Sequence, residues 1–273
     1  AIKGSFGMSQ KGKSLRYALI GLQFVISIAF IICAIFLKKQ HSYMMNYDMG
    51  FNKEGLLTAN IPVSSMDERD AFSSELLNNP NIKEVAWSQD RMVAEMHMTW
   101  GRWHHGEQMM LTVMPVSWNF LQVMGIEVVE GRDFLPSDEK GDGAIILNEY
   151  AKKKYNLNLE EVIEWNGKPF PATGFCRDFH FKPLHEESDA FAFYIYDSEI
   201  QTRYGVTPHL TLRTIENADI KAVFDAIRAT TDKILPDYGS EKVKINFFDE
   251  ELGENYQKEQ QLTTTISLFT MLA

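Results

Sequence analysis

Disulfide-forming residues are scarce, because the chain has only two cysteines, Cys33 and Cys176, among 273 residues. A small secreted fold held together by disulfides is therefore excluded. Cys33 lies in a long apolar run and Cys176 in the body of the chain, so we expect no disulfide within the chain. An oxidising compartment is compatible with these cysteines but is not required by them.

Acidic residues are absent from the first 39 positions, which hold six lysines and arginines. The rest of the chain contains 21 of the 27 basic residues and all 37 acidic residues, a net charge of −16. A basic end beside an apolar helix is typical of a membrane anchor. The acidic body argues against nucleic acid as a partner.

Charge is also absent from residues 17–37, and this run of 21 residues predicts a transmembrane helix. At about 1.5 Å per residue it spans the roughly 30 Å hydrocarbon core. A cleaved signal peptide is the main alternative, but the run is longer than a signal core and ends at Lys38-Lys39 without a small-residue cleavage site. Gln23 and Ser27 share one face, which we expect to pack on another helix.

The placement of lysine and arginine predicts the orientation of this helix. Four such residues precede it and two follow it, which favours a cytoplasmic N-terminus. We therefore expect residues 1–16 to be a cytoplasmic juxtamembrane segment and residues 38–258 to be a periplasmic domain. The apolar stretch that starts near residue 262 predicts that residues 259–273 are a stalk and the truncated start of a second transmembrane helix.

A strand–helix–strand pattern occurs twice in the body of the chain, with Asp67 at the start of the first helix and Asn217 as the expected cap of the second. Two such units make a split βαβ sheet covered by helices on one face, in a lobe of residues 53–94 and 206–250. Short apolar runs between them predict a β-rich lobe at 95–205, with one helix near 148–155. The expected fold class is α+β. The predicted elements are 56–63, 66–79 and 82–89 for the first unit, and 208–214, 218–235 and 242–248 for the second.

Residues 7–14 match the phosphate-binding pattern GxxxxGK[ST] at every position. That motif needs a buried strand before it and a soluble helix after it, so that backbone N–H groups surround the phosphate. Residues 1–6 do not read as a strand, and the helix that follows is the membrane span. We interpret the match as a coincidence in a basic juxtamembrane segment.

Methionine and histidine are concentrated between residues 92 and 110. Thioethers and imidazoles outside the cytoplasm can hold Cu(I), so copper binding is one hypothesis. Methionine as core filler in a β lobe, with histidine at an exposed turn, is the alternative. The sequence leaves this open. The residues concerned are Met92, Met96, His97, Met98, His104, His105, Met109 and Met110.

Two further groups have simple structural explanations. Cys176, Asp178, His180 and His185 could indicate zinc or a thiol nucleophile, but a strand running into a turn explains the same residues. The acidic clusters 160–161, 186–187 and 249–251 lack the glycine and spacing of a calcium loop, and are expected to be solvated or to attract a cationic cargo. We assign no catalytic, cofactor-binding or metal-binding residue and expect no enzymatic activity.

Several segments, taken in order, resemble the FtsX-like and MacB-like permeases of ABC transporters. The helix at residues 15–28 is similar to the family's "LR…QFxISI" helix, and Asp48–Lys53 is similar to its "GFN" exit. Segments in the middle of the chain and near its end also resemble the family's motifs, in the same order. The matching segments are Val116–Phe120, Met124–Ile126, Glu130–Phe134, Ile146–Glu149, Gly174–Phe181 and Phe248–Glu259. Phe175-Cys176 and Pro183 depart from the usual pattern.

The resemblance implies a two-lobed periplasmic domain in a multi-pass protein of the inner membrane of a Gram-negative bacterium. It also implies mechanotransmission, in which a cytoplasmic ABC ATPase subunit drives movement of the outer domain. The implied partners are that ATPase, a second permease subunit, and an adaptor or a cationic, peptide or lipid-like substrate. Two other classes stay open: a ligand-sensing extracytoplasmic domain of a transmembrane receptor, and an extracytoplasmic metal-handling protein.

Overall fold

The computed structural model divides into two compact units. One consists of Ala1–Tyr47 and Tyr256–Ala273, and the other, the two-sheet unit, is Asp48–Asn255. The described residues are 10–94, 97–104, 107–141, 143–159, 162–165, 168–182, 189–195, 208–254, 261 and 264–265.

The first helix, α1, is Gln10–Asn46 and extends beyond the predicted span at both ends. Within it, Lys13–Met44 is long and apolar enough to cross a membrane, by length and composition. The Ser27 hydroxyl donates to the Gln23 carbonyl oxygen at 2.9 Å, so this polar group is satisfied inside the helix.

A four-stranded sheet contains both predicted strand–helix–strand units. Its strand order is β11-β1-β10-β2, and all neighbours are antiparallel. Each pair of strands joined by a helix is separated by one strand of the other pair, so the predicted split βαβ arrangement is confirmed. The elements are β1 Leu56–Asn60, α2 Met66–Leu76, β2 Ile82–Ser88, β10 His209–Thr214, α5 Ile220–Ile234 and β11 Ile245–Phe247.

The β-rich part of the chain forms a second, mixed sheet with the path β3-β4-β9-β6-β8-β5, and β7 pairs with β8. The β4–β9 and β6–β8 pairs are parallel, and the others are antiparallel. The strands are β3 Met98–His104, β4 Glu107–Pro115, β5 Val128–Gly131, β6 Ala144–Asn148, β7 Val162–Trp165, β8 Lys168–Cys176 and β9 Phe191–Ile195.

Three short helices accompany these sheets. The predicted helix near residue 150 is α4, Glu149–Tyr155. The second, α3, Phe120–Met124, was not predicted, and its C-cap is Gly125 in the left-handed region at φ +72°. The third, α6, Phe248–Glu254, follows β11 directly.

Asp67 lies in the first turn of α2, as predicted, and Ser65 caps this helix by accepting from the Glu68 amide at 3.2 Å. The predicted cap of α5 is wrong, because Asp219 caps this helix by accepting from the Ala222 amide at 3.1 Å. Asn217 instead adopts φ +58° in the turn before α5. The side chain that caps α5 therefore lies two residues after the predicted one.

Helices α2 and α5 cover one face of the four-stranded sheet with an apolar layer. Alternate residues of the strands point into this layer, as the period of two requires. The Phe72 ring lies edge-on to Trp87 at 5.8 Å between centroids. The buried members are Leu57, Ala59, Ile61, Val63, Phe72, Leu76, Ile82, Val85, Trp87, Leu210, Leu212, Val223, Ile227 and Val243.

The mixed sheet has its own aromatic cluster. Phe179 and Phe181 follow β8 and pack on Phe191 and Phe193 of β9, with ring centroids 4.5–5.8 Å apart. Phe120 of α3 contacts Phe193 at 5.9 Å. This cluster therefore attaches α3 to the mixed sheet.

Replacing Phe72 with alanine should destabilise the two-sheet unit by about 3–5 kcal/mol, because its fully buried ring would leave a cavity beside Trp87. The matched control is Leu77→Ala at a side chain that is 49% exposed, which should cost less than about 1 kcal/mol. Urea unfolding of the detergent-solubilised chain, followed by tryptophan fluorescence, measures both. Equal losses in the two variants would contradict this assignment of the core.

Candidate functional site: the polar junction between the sheets

The second face of the four-stranded sheet is polar, yet it is buried. In β10 every residue is buried, including His209, Thr211 and Arg213, which alternate with two leucines. Thr58 of β1 and Ser88 of β2 lie buried on the same face. We expected helices on one face of this sheet only. In the structure both faces are covered, because other parts of the chain pack polar groups against the second face. We call these five residues the polar face.

Arg213 connects three parts of the two-sheet unit through carbonyl oxygens. Its Nε and Nη2 donate to the Val123 oxygen in α3 at 2.9 and 2.5 Å. Its Nη1 donates to Glu54 O at 2.6 Å, and Nη2 donates to Asn52 O at 2.7 Å. Burial lowers the pKa of Arg213, but a guanidinium stays charged. A cation at the C-terminal turn of α3 is also favoured by the helix dipole.

The segment of residues 48–55, which we call the lead-in segment, contacts the four-stranded sheet through β10, the helix α3 and the segment that follows β8. The Asn52 amide donates to Met124 O at 2.8 Å, and the His180 amide donates to Met49 O at 2.8 Å. Gly50 has φ +82°, and a Cβ there would lie 2.7 Å from the Asp178 oxygen. Only a glycine allows this close approach without strain.

Hydrogen bonds join β2 to the segment that follows β4. Ser117 N donates to Trp87 O at 2.8 Å, and Trp87 N donates to the Ser117 hydroxyl at 2.9 Å. The side-chain Nδ2 of Asn119 donates to Val85 O at 2.7 Å. Main-chain groups of β2 are thus bonded to main-chain and side-chain groups that follow β4, which constrains the relative position of the two strands.

A buried ion pair adds a fourth connection. Arg69 of α2 donates to the Glu139 carboxylate at 2.8 Å, and both side chains are at most 10% exposed. The other oxygen of Glu139 accepts from the Trp118 amide at 3.1 Å. The carboxylate therefore links the α2 helix to the loop that precedes α3.

Helix α6 lies against the polar face and against the lead-in segment. The Phe248 ring contacts Phe51 edge-on at 5.5 Å, and Lys53 Nζ lies 3.6 Å from an Asp249 oxygen. Glu251, 4% exposed, accepts from the Thr58 hydroxyl at 3.1 Å. The segments by which the chain enters and leaves the two-sheet unit are therefore packed together.

His209 lies beside this carboxylate. Its Nε2 is 4.0 Å from a Glu251 oxygen and has no hydrogen-bond partner among the described residues. Arg91 Nε lies 3.8 Å from the same oxygen. Burial lowers the pKa of His209 to about 4, opposed by Asp90 and reinforced by Arg91, so the imidazole is neutral at pH 7.

The methionine and histidine residues of 92–110 lie on both faces of the β3–β4 hairpin and in the segment before it, where the structure describes them. Met92 and Met109 are buried, and the Met98 sulfur accepts from the Trp100 indole at 3.3 Å. Met110 lies opposite Gly101, on the other face of the β3–β4 hairpin from Met98.

His97 packs on Phe181 and Phe191, and burial lowers its pKa. Met96 and His105 lie outside the described residues, and the structure does not describe the side chain of His104. Within the described ranges, no three His, Cys, Asp or Glu side chains form a group that could hold a metal.

Cys176 and Asp178, which could have indicated zinc or a thiol nucleophile, have structural contacts in the described residues. Cys176 is fully buried in β8, and burial raises the pKa of its thiol far above the usual range, which favours the protonated thiol. Asp178 accepts from the Tyr150 amide at 2.7 Å at the start of α4. His185 and the acidic clusters 160–161 and 186–187 lie outside the described residues, as do residues 7–9 of the phosphate-binding match. In the third cluster Asp249 and Glu250 are exposed, but Glu251 is buried.

These features define a class of protein: an α+β domain with two sheets joined by a polar junction, in a chain that also has a helix long and apolar enough to cross a membrane. The chain belongs to the family of MacB-like periplasmic core domains, whose model matches residues 20–230. The resemblance to the MacB-like permeases of ABC transporters is therefore confirmed.

Two solved structures are similar to this chain, and the first of them shares its fold. The periplasmic region of MacB from Actinobacillus actinomycetemcomitans aligns with a TM-score of 0.54 at 13% identity, over 77% of this chain and 98% of that one. The extracellular domain of the noncanonic ABC-type transporter YknZ from Gram-positive bacteria aligns with a TM-score of 0.49 at 15% identity, over 70% and 99%. No protein of curated function matches the chain significantly.

The residues that make the junction were not singled out from the sequence. Arg213 and His209 alternate with leucine in β10, a pattern that normally places polar side chains in solvent. Glu251 is the exception that the sequence could have shown, since it falls three residues after Phe248 and one before Leu252, on the apolar stripe of α6.

Arg213→Lys should destabilise the two-sheet unit by about 2–3 kcal/mol, because a single ammonium cannot reach all three carbonyl oxygens that the guanidinium binds. Arg228→Lys, at an exposed position of α5, is the matched control and should stay within about 0.5 kcal/mol. Urea unfolding measures both. If Arg213→Lys lowers the free energy of unfolding no more than the control does, the three hydrogen-bonded acceptors of the guanidinium do not contribute to stability.

The pH dependence of stability should contain a contribution from His209. Its folded-state pKa of about 4 is below the ordinary 6.5, so the unfolded chain binds the proton first as the pH falls. Folding stability should therefore fall between pH 6.5 and 4, by about 3 kcal/mol. We expect His209→Leu to lose this part of the acid sensitivity in urea unfolding across that range. Parallel stability curves for the two proteins would contradict the prediction.

Proposed function

We propose that the chain is part of a non-catalytic permease of an ABC transporter, which couples ATP hydrolysis by a separate cytoplasmic ATPase to movement of the two-sheet unit. The movement is mechanotransmission, and it serves export or extraction of a substrate. Membership in the MacB-like family and the apolar helix α1 support this proposal.

One observation carries the proposal: the lead-in segment is hydrogen-bonded to the four-stranded sheet, to α3 and to the segment that follows β8 in the mixed sheet. Asn52 is held by Arg213 from β10 and bonds to Met124 in α3, and Met49 is bonded to the segment after β8. A displacement of the lead-in segment would therefore act on both sheets together. Each such buried hydrogen bond resists breaking by about 1–3 kcal/mol.

The packing of α6 on the lead-in segment supports transmission through both ends of the unit. Phe51 contacts Phe248, and Lys53 pairs with Asp249. A force arriving through either segment would be shared with the other. A domain that merely displays a binding surface has no need for both of its chain ends to be packed together and attached to its sheet.

The remaining parts of the proposal follow from the family. Residues 38–258 would lie in the periplasm of a Gram-negative bacterium, in a multi-pass protein of the inner membrane. Residues 259–273 would be a stalk and the start of a second membrane helix. The partners would be the ATPase, a second permease subunit, and an adaptor or a cationic, peptide or lipid-like substrate.

The test follows the movement directly, without knowledge of the substrate. The full-length permease is reconstituted with its ATPase in lipid nanodiscs, with a nitroxide label at Lys221→Cys, whose side chain is 89% exposed on α5. Cys33→Ser removes the exposed cysteine, and the buried Cys176 is left in place. We expect the distance between the labels of two subunits to change when ATP is trapped with vanadate. Electron–electron double resonance measures it.

Leu262→Pro separates mechanical coupling from hydrolysis. Proline would break the predicted helix of residues 259–273, so the nucleotide-dependent change in label distance should disappear while ATP hydrolysis continues. Leu262→Ala is the matched control, since alanine preserves a helix. A label distance that responds to ATP equally in the proline variant would refute the mechanical reading.

A further inference from the structure

Helix α6 has a carboxylate in the middle of its buried face. Phe248, Glu251 and Leu252 have the spacing of one helix face, and they are 2%, 4% and 1% exposed. Asp249 and Glu250 on the opposite face are exposed. An apolar side chain at position 251 would avoid the cost of burying a charge, so stability alone does not explain the glutamate.

Two different donors surround this carboxylate. Thr58 of β1 donates to one oxygen at 3.1 Å, whereas His209 of β10 lies 4.0 Å from the other oxygen. The Nε2 of His209 has no hydrogen-bond partner among the described residues, although the side chain is buried. A buried donor left in this state destabilises the folded protein, because its lost hydrogen bond to water is not replaced. A shift of about 1 Å would bring the two groups within hydrogen-bond distance.

The charged groups around the pair are few in the described residues. Asp90 and Arg91 follow β2 and act on His209, and Arg91 Nε also lies 3.8 Å from the Glu251 carboxylate. His209 is neutral at pH 7, so its imidazole N–H can donate to the carboxylate without any change of charge. The carboxylate can therefore exchange one set of donors for another while it stays buried.

We propose, on the basis of the proposed function, that Glu251 is a positioning residue through which α6 moves the four-stranded sheet, and that His209 is its partner in a second docked position. In the first position Glu251 is held by Thr58 and lies beside Arg91. In the second, α6 shifts by about 1 Å and Glu251 accepts a hydrogen bond from His209. Helix α6 stays attached in both positions, since the side chains of Phe248 and Leu252 remain buried on either side of Glu251.

The experiment uses the full-length permease with its ATPase in nanodiscs, labelled at Lys221→Cys in the Cys33→Ser background. Glu251→Gln should reduce the population that shifts on ATP trapping by about tenfold, because an uncharged amide binds these donors more weakly. Glu250→Gln makes the same change of charge at the neighbouring exposed position, and it should shift like the parent protein. ATP hydrolysis by the partner subunit should be unchanged in both.

His209→Leu distinguishes a partner in the second position from a residue that only supports the fold. Leucine preserves the buried volume, so hydrogen exchange of peptide 248–254 without nucleotide should match the parent protein. The ATP-dependent shift should nevertheless be lost. Faster exchange in the resting state together with an unchanged shift would mean that His209 has a structural role only, and would overturn the proposal.

The outcomes separate the two proposals. A parent protein that does not shift on ATP trapping overturns the proposed function and this inference together. A parent that shifts while Glu251→Gln and His209→Leu shift equally well overturns only the inference. Tryptophan fluorescence reports whether each variant folds. If Glu251→Gln does not fold, Thr58→Val removes only the first donor and should enlarge the shifted population before ATP is added, and an unchanged population would overturn the inference.

Discussion

The guanidinium of Arg213 is the interaction on which the two-sheet unit depends. It extends from the central strand β10 and binds carbonyl oxygens of α3 and of the lead-in segment. A planar group with five N–H donors suits this task, because three acceptors from two separate stretches of chain must be satisfied in one buried place. Without it, those carbonyl groups would be desolvated and unpaired.

The four-stranded sheet therefore has two faces with different physical properties. The face toward α2 and α5 is apolar and close-packed, so it resists small displacements because each one opens voids. The face toward α3, α6 and the lead-in segment is held by hydrogen bonds and ion pairs. Such contacts have discrete alternative partners, and they can rearrange without loss of packing. A displacement of neighbouring elements relative to this sheet is therefore expected at its second, hydrogen-bonded face.

The sequence predicted the parts of the fold that have strong periodicity. The twice-repeated strand–helix–strand pattern indicated α5 and the split sheet, because these long elements bury a regular apolar face. Short α3 was not predicted, since five residues carry too little periodicity and this helix is stabilised by tertiary contacts. Its cap at Gly125 and its partner Arg213 are far apart in sequence.

The candidate site was harder to predict because it is made of exceptions to composition rules. His209, Thr211 and Arg213 alternate with leucine, which indicates a solvent-facing edge unless another polar layer is known to cover it. The conspicuous residues, Met98 and Cys176, have ordinary roles as a hydrogen-bond acceptor and a core side chain. Pairing between distant segments decides burial, and a single sequence does not encode it locally.

The position of Glu251 fits this division of the sheet into a rigid and an adjustable face. An apolar residue there would attach α6 more firmly, since replacing buried ions by well-packed apolar groups is often neutral or stabilising. It would also hold α6 in one place, because an apolar contact has a single optimum of packing. A carboxylate between Thr58 and His209 has one donor within hydrogen-bond distance and an imidazole 4.0 Å away on the neighbouring strand. Under the proposed function, that arrangement gives up some stability for a second position, which a helix that transmits motion would require and a passive tether would not.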